Sequence, residues 1–164
     1  MLFYTSVEYA NPIRTMQFAE IVSVIDGDTI KVKIGQTTET VRLLLIDTPE
    51  TKHPKLKTQP FGKEAYTYTF NLLPKGTIVK LEYDKLKMDK YKRLLAYVYI
   101  NDKMVNELLV SEGLARVGFV IKPNIKHLET LKNSETQSKK KQLNIWSVKG
   151  YVKSNGFDST VIKK

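Results

Sequence analysis

Cysteine is absent from the 164 residues. Disulfide scaffolds, thiolate zinc sites and cysteine nucleophiles are excluded with it. The redox compartment stays open, because a chain without thiols survives in any of them. Histidine is scarce as well. His53 and His127 are too few and too far apart in sequence for a zinc triad, and each reads as a surface or packing residue. Apolar runs are short, and none approaches the ~18 residues that a membrane-spanning helix needs. Residues 1–18 carry no period, no basic n-region and no apolar h-region, so they read as a lead-in rather than a signal peptide. Acidic residues are outnumbered, 17 against 27 basic ones, which gives a net charge of +10. Such a field attracts polyanions, of which nucleic acid is the commonest. An anionic membrane surface is the rival, but no basic amphipathic helix with bulky apolar anchors supports it. Arginine is the rare cation here, present only as Arg14, Arg42, Arg93 and Arg116. Its planar fork suits bidentate phosphate contacts, so each arginine is a candidate for more than bulk charge.

What is present is one domain's worth of chain with 41% hydrophobic residues, enough for a real core. Residues 19–146 read as the folded domain. Residues 147–164 read as a flexible tail, rich in Gly, Ser, Asn and Lys from about Lys149. Five strands are expected: Ala19–Ile25, Thr29–Ile34, Thr38–Ile46, Thr77–Asp84 and Arg93–Ile100. Asp26-Gly27 marks a hairpin turn between the first two. Residues 51–60 form a polar, Lys- and Pro-rich loop. Phe61, Ala65, Tyr68 and Leu72 recur at helical spacing, and Pro74-Lys75-Gly76 stops that helix. Val105, Leu108 and Leu109 mark a short helix ended by Gly113, and a polar helix runs from Leu128 to about Gln142. Five short strands with a helix between the third and fourth suggest an α+β, mainly β fold: a five-stranded OB-like barrel with three helices. A generic α+β sheet is the alternative.

Several residues could carry chemistry. Asp28 shares the parity of Ile30, Val32 and Ile34, so it starts the inward face of its strand and needs a partner. Asp47 ends the third strand, and Glu50 follows closely. Three acids at strand ends, without thiols, suit a hard cation such as calcium or magnesium. No EF-hand pattern is present. Each piece also has a structural reading. Asp26-Gly27-Asp28-Thr29 is an ordinary hairpin turn, and Asp47-Thr48-Pro49-Glu50 has the form of a capping box. Arg42 could be an edge arginine reaching solvent, and Arg93 an ordinary surface residue. Strand parity puts Arg42 and Asp47 on opposite faces, so their convergence needs curvature or a bulge. Met104 reads as core, and Lys139-Lys140-Lys141 as a solvated helix end. If the pieces do converge, a cation, two arginines and one glutamate form a parts list for phosphodiester hydrolysis.

The stretches Ile25–Thr29 (IDGDT), Val41–Pro54 (VRLLLIDTPETKHP), Phe61–Ala65 (FGKEA), Asp89–Arg93 (DKYKR), Leu95–Tyr97 (LAY), Lys103–Glu107 (KMVNE) and Leu143–Trp146 (LNIW) together resemble the staphylococcal nuclease (thermonuclease) family. The resemblance runs from about Ala19 to Trp146. It implies an OB-fold barrel with three helices and a calcium-dependent hydrolysis of DNA and RNA that leaves 3′-phosphates. By position, it implies that Asp28 and Asp47 are calcium carboxylates, with the Thr48 carbonyl as a third ligand. Glu50 matches the glutamate that deprotonates or positions water, and Arg42 and Arg93 the pair that grips phosphate. Lys90 and Tyr91 match residues that bind a terminal phosphate. The Lys122–Pro123 bond matches one that is often cis. Phe119 stands at the family's aromatic nucleotide-stacking position, in place of tyrosine, and Ile121 at the neighbour two on; Phe119 can still stack on a base but offers no hydroxyl. Lys92 replaces a usual glycine, and the loop after Asp84 is about one residue shorter. The expected substrate is single-stranded or frayed DNA and RNA, the expected state a monomer without membrane partners, and the expected location extracellular. A non-catalytic nucleic-acid-binding barrel is the competing reading, since charge and Phe119 fit it equally well.

Overall fold

In the computed structural model, residues 16–51 and 58–162 are described. The first fifteen residues of the lead-in, and most of the 51–60 loop including His53, lie outside them.

Five strands carry the fold: β1 (Met16–Asp26), β2 (Thr29–Ile34), β3 (Thr37–Leu43), β5 (Ile78–Met88) and β6 (Leu94–Ile100). Short strands are β4 (Ile46–Asp47), β7 (Lys103–Met104) and β8 (Arg116–Val117). The helices are α1 (Gly62–Leu72), α2 (Val105–Ser111) and α3 (Leu128–Lys140). The long strands pair antiparallel in the order β3-β2-β1-β5-β6, and a parallel pairing of β3 with β6 closes the ring. This is a closed five-stranded mixed barrel with three helices, the expected OB-fold architecture. Closure removes the exposed edges that an open sheet would present.

Alternation along the strands explains the core. Ile30 and Val32 are fully buried while Lys33 is exposed, as the two-residue period requires. Val41, Leu43, Leu81, Ala96 and Val98 fill the same interior, and Leu109, Val110 and Leu131 cover it from the helices. No helix among the described residues is long and apolar enough to cross a membrane.

Two expectations are corrected. The third strand does not run on to Ile46. It ends at Leu43, and Leu45 adopts a left-handed backbone (φ 63°) before Ile46-Asp47 pairs with β8. Ladder bonds explain the break: Leu44 N–H donates to Ala96 O, and Gly118 N–H to Leu45 O. The loose tail is also not what forms. Tyr151 is fully buried, and β9 (Val152–Lys153) pairs with β10 (Gly156–Phe157) in a small hairpin. Aromatic packing does what composition did not suggest: the Tyr151 ring lies 5.7 Å from Phe61 and 5.4 Å from Phe157.

Candidate active site

The β1–β2 turn sets the first carboxylates. Its glycine is required by close approach. A Cβ on Gly27 would stand 2.8 Å from Thr48 Oγ1 and 2.9 Å from Ala65 Cβ. The turn is thus clamped between α1 and the segment after β4, and Thr69 Oγ1 donates to Gly27 O at 2.7 Å. Asp28 is buried beside it. One carboxylate oxygen accepts Thr29 Oγ1 at 2.9 Å; the other accepts Thr48 N–H at 2.9 Å.

Arg42 is held opposite by register, since it pairs with Thr29 across the β2–β3 ladder. Its guanidinium lies 3.2 Å from Asp28 Oδ2 and 3.9 Å from Asp47 Oδ1, and donates to Leu43 O at 2.7 Å. Only 9% exposed, it is no solvent-reaching edge residue. The parity conflict with Asp47 is removed by the left-handed Leu45, which reverses the facing of the chain before Asp47. Phe119 joins this group, with the Arg42 guanidinium 5.1 Å from its ring centre. The ring itself is 62% exposed, so a face remains open to a ligand.

Glu50 sits at the rim, exposed, its backbone N–H held by Gln59 Oε1 at 2.8 Å and its carbonyl by Gln59 N–H at 2.8 Å. Its carboxyl is pushed up to about 7, first by burial, then by a hydrogen bond with and the charge of Asp26, then by Asp28 and Asp47. Burial also raises Asp47; the neighbouring Asp28 adds to this, while Arg116 and Arg42 oppose it.

Arg93, Lys90 and Tyr91 form a second group on the turn before β6. Asp89 organises that turn, accepting the N–H groups of Tyr91 and Arg93, both at 2.9 Å, and Arg93 Nε at 2.7 Å. The Arg93 guanidinium lies 5.5 Å and Lys90 Nζ 5.1 Å from the Tyr91 ring centre. Lys92 takes a left-handed backbone (φ 62°). Arg93 stands two residues before Leu95, the ladder partner of Arg42, which puts both arginines on one side of the β3–β6 seam. The structure brings Asp28, Arg42, Asp47, Thr48, Glu50 and Phe119 together. Lys90, Tyr91 and Arg93 share a second set of contacts around Asp89, in the turn that leads into β6.

The chain after β8 carries Phe119 and Ile121, both exposed, and the Lys122–Pro123 bond is cis. Its far end is tied to β5. Asn124 exchanges two hydrogen bonds with the Leu86 backbone, at 2.8 and 2.7 Å. Buried Glu82 accepts Tyr99 Oη and His127 Nε2, both at 2.8 Å, and Lys126 Nζ. His127 is therefore a packing and hydrogen-bonding residue, its ring 4.5 Å from that of Tyr97.

Two residues were passed over in the sequence. Asp26 had been absorbed into the turn motif, yet it accepts Thr51 Oγ1 at 2.9 Å and adjoins Glu50. Arg116 had no motif around it. It is buried, pairs with Asp47 in the β4–β8 ladder, and donates Nε to Asp47 Oδ2 at 2.8 Å. Its rarity as one of four arginines was the signal that could have found it.

The charges do not balance. Four carboxylates, Asp26, Asp28, Asp47 and Glu50, face two buried guanidiniums, Arg42 and Arg116. Among the described residues no group of three or more His, Asp or Glu side chains is arranged to hold a metal ion. The chemistry of the set, oxygen donors only with carboxylates in excess of guanidiniums, nevertheless fits a hard divalent cation that keeps several waters. Thr48 Oγ1, buried without a hydrogen-bond partner among the described residues, adds an orphaned oxygen next to Asp47.

A family model described as "Staphylococcal nuclease homologue" matches residues 40–148. The chain belongs to the staphylococcal nuclease family. Among its relatives, the SPbeta prophage-derived endonuclease YokF of Bacillus subtilis is 48% identical over 141 residues, 85% of this chain and 47% of that protein. Endonuclease YncB of the same organism is 48% identical over 138 residues, 84% of this chain and 65% of its own. The thermonuclease of Staphylococcus hyicus is 44% identical over 131 residues, 80% of this chain and 76% of its own. The chain thus spans about half of YokF and just under two thirds of YncB. The matched family region takes in Arg42, Asp47, Glu50, Arg93 and Phe119, and begins after Asp28.

Proposed function

We propose that the chain is a calcium-dependent endonuclease that hydrolyses phosphodiester bonds of DNA and RNA and leaves 3′-phosphate ends. The observation that carries this reading is the convergence of Asp28 and Asp47 on one buried guanidinium, Arg42, within 4 Å. A protein that only bound polyanions would gain nothing from four clustered carboxylates, which repel phosphate. The names of YokF, YncB and the thermonuclease support the same class of activity.

In this reading Asp28, Asp47 and the Thr48 backbone carbonyl hold the cation. Calcium, when bound, supplies a Lewis acid against a phosphoryl oxygen. Arg42 and Arg93 each present a planar fork to the phosphate and stabilise the charge that grows on its oxygens in the transition state. Asp89 occupies the Nε edge of Arg93 and leaves the two terminal nitrogens for that contact. Glu50 orients the attacking water and accepts its proton. The new bond joins the water oxygen to phosphorus, and the bond to the 5′-oxygen breaks. The products are a 3′-phosphate and a 5′-hydroxyl, the leaving oxygen taking its proton from solvent. Lys90 and Tyr91 bind a neighbouring terminal phosphate, and the exposed face of Phe119 stacks on a base.

The test is cleavage of end-labelled single-stranded DNA and of RNA with calcium, then with excess chelator. Phosphatase treatment of the fragments identifies the ends. Calcium-dependent fragments whose 3′ ends lose phosphate on treatment are expected. Salt-sensitive binding without cleavage would leave only a nucleic-acid-binding barrel.

A further inference from the structure

The segment Tyr151–Phe157 lies outside the matched family region, and it touches the acidic site from two directions. One arm runs through Arg116. The guanidinium that donates Nε to Asp47 at 2.8 Å donates Nη1 to Ser154 O at 3.2 Å and packs 5.8 Å from the Phe157 ring centre. One rigid fork therefore joins a carboxylate of the site to the backbone of the hairpin. Because the fork is planar, turning one edge turns the other.

The second arm runs through Tyr151. This ring is fully buried between Phe61 and Phe157, and its hydroxyl donates to Pro60 O. Pro60 follows Gln59, which makes both backbone hydrogen bonds to Glu50. Gly62, two residues on, is pressed so close that a Cβ there would stand 2.7 Å from Glu50 O. Asp158 closes the hairpin by donating its N–H to Tyr151 O at 2.7 Å, so the two arms belong to one unit.

We propose that Tyr151–Phe157 is a positioning brace of the active site, which aims Asp47 through Arg116 and Glu50 through Pro60 and Gln59. The inference rests on the nuclease reading and deepens it. Arg116, Tyr151 and Phe157 are positioning residues: they act on the site through Asp47 and Glu50. The two arms make separable demands. The Arg116 arm governs how well Asp47 meets a cation. The Tyr151 arm governs where Glu50 holds its water.

The experiment uses the full chain with three substitutions: Arg116→Lys, Phe157→Ala and Tyr151→Phe. Calcium binding is measured by titration calorimetry without nucleic acid. The kcat and KM for single-stranded DNA are measured separately, and the melting temperature monitors the fold. Partners that orient metal-binding groups are worth roughly 10- to 100-fold in affinity or activity. Arg116→Lys and Phe157→Ala are both expected to weaken calcium binding, by about tenfold for the former. Tyr151→Phe keeps the ring, so it folds. It is expected to lower kcat several-fold while KM and calcium affinity stay within a factor of about two. If all three variants lose only melting temperature, with calcium affinity and kcat unchanged, the segment is mere packing and the brace is refuted. The same holds if Arg116→Lys has an effect but Phe157→Ala has none. An unsubstituted chain that binds calcium yet cuts nothing would overturn the nuclease reading, while the calorimetric comparison would still decide the Arg116 arm.

Discussion

Asn106 offers a strict test of how the site is held, because it is fully buried and bridges two backbones. From α2, its Oδ1 accepts Val98 N–H of β6 at 3.0 Å, and its Nδ2 donates to Leu44 O at 2.9 Å. Leu44 begins the turn that redirects the chain from β3 to Asp47. Replacing Asn106 by Leu keeps the branched shape and leaves no cavity, although its two methyl groups are bulkier than the amide they replace. It leaves one N–H and one carbonyl buried without these partners. Each orphaned group costs about 1–3 kcal/mol, and a loss of about 3 kcal/mol is the expected total after the gain from the apolar side chain. For a chain of this size that lowers the melting temperature by about 6–12 °C. Urea unfolding followed by the fluorescence of Trp146, the single tryptophan, measures it. Asn106→Asp keeps the acceptor for Val98 but sets a carboxylate against Leu44 O, so it is expected to be at least as damaging at pH 7. A loss below about 1 kcal/mol in both variants, at unchanged denaturant slope, would refute the claim that this amide holds the turn.

Arg42→Lys keeps the charge beside Asp28 but not the fork, so turnover is expected to fall by about 10²- to 10³-fold with the fold intact; a near-normal kcat would remove Arg42 from the transition state. Glu50→Gln is expected to lower kcat far more than calcium affinity, and equal losses in the two would make Glu50 a cation ligand. Burial raises the carboxyl of Glu82, but hydrogen bonds from Lys126, His127 and Tyr99 outweigh it and hold it below its ordinary 4.5. A carboxylate depressed in the folded state stabilises fully above its unfolded value, and that stability is lost as pH falls through the folded one. Urea titrations from pH 6 to pH 3 should therefore show stability falling below about pH 4.5, with a shallower fall in Glu82→Gln; identical pH profiles would discard Glu82 as the source.

The barrel was legible because its strands obey one rule: apolar side chains on alternate residues, broken by turn residues. Ile30, Val32 and Ile34 announced β2, and the helical spacing of Phe61, Ala65, Tyr68 and Leu72 announced α1. The rule failed where backbone geometry departs from the ideal. Parity separated Arg42 from Asp47, and only the left-handed Leu45 reunites them. Leucine carries no mark of that conformation in sequence, since glycine and asparagine are the residues that take it readily. The tail failed for a different reason. Its polar, glycine-bearing composition is that of a linker, yet one tyrosine and one phenylalanine suffice to dock it when Phe61 and Arg116 supply the receiving surface. Such docking depends on residues about 40 and 90 positions away, so no local pattern encodes it. Asp26 and Arg116 were missed on the same grounds: what each does is decided by a partner distant in sequence, Thr51 for one and Asp47 for the other. Residues proposed to bear the chemistry were read from resemblance and residue type, while the residues that contact them became visible only when the chain was closed into a barrel. On the proposed reading, a search for altered cation affinity begins at the partners of Asp47, and a search for altered turnover at those of Glu50, rather than at the carboxylates themselves.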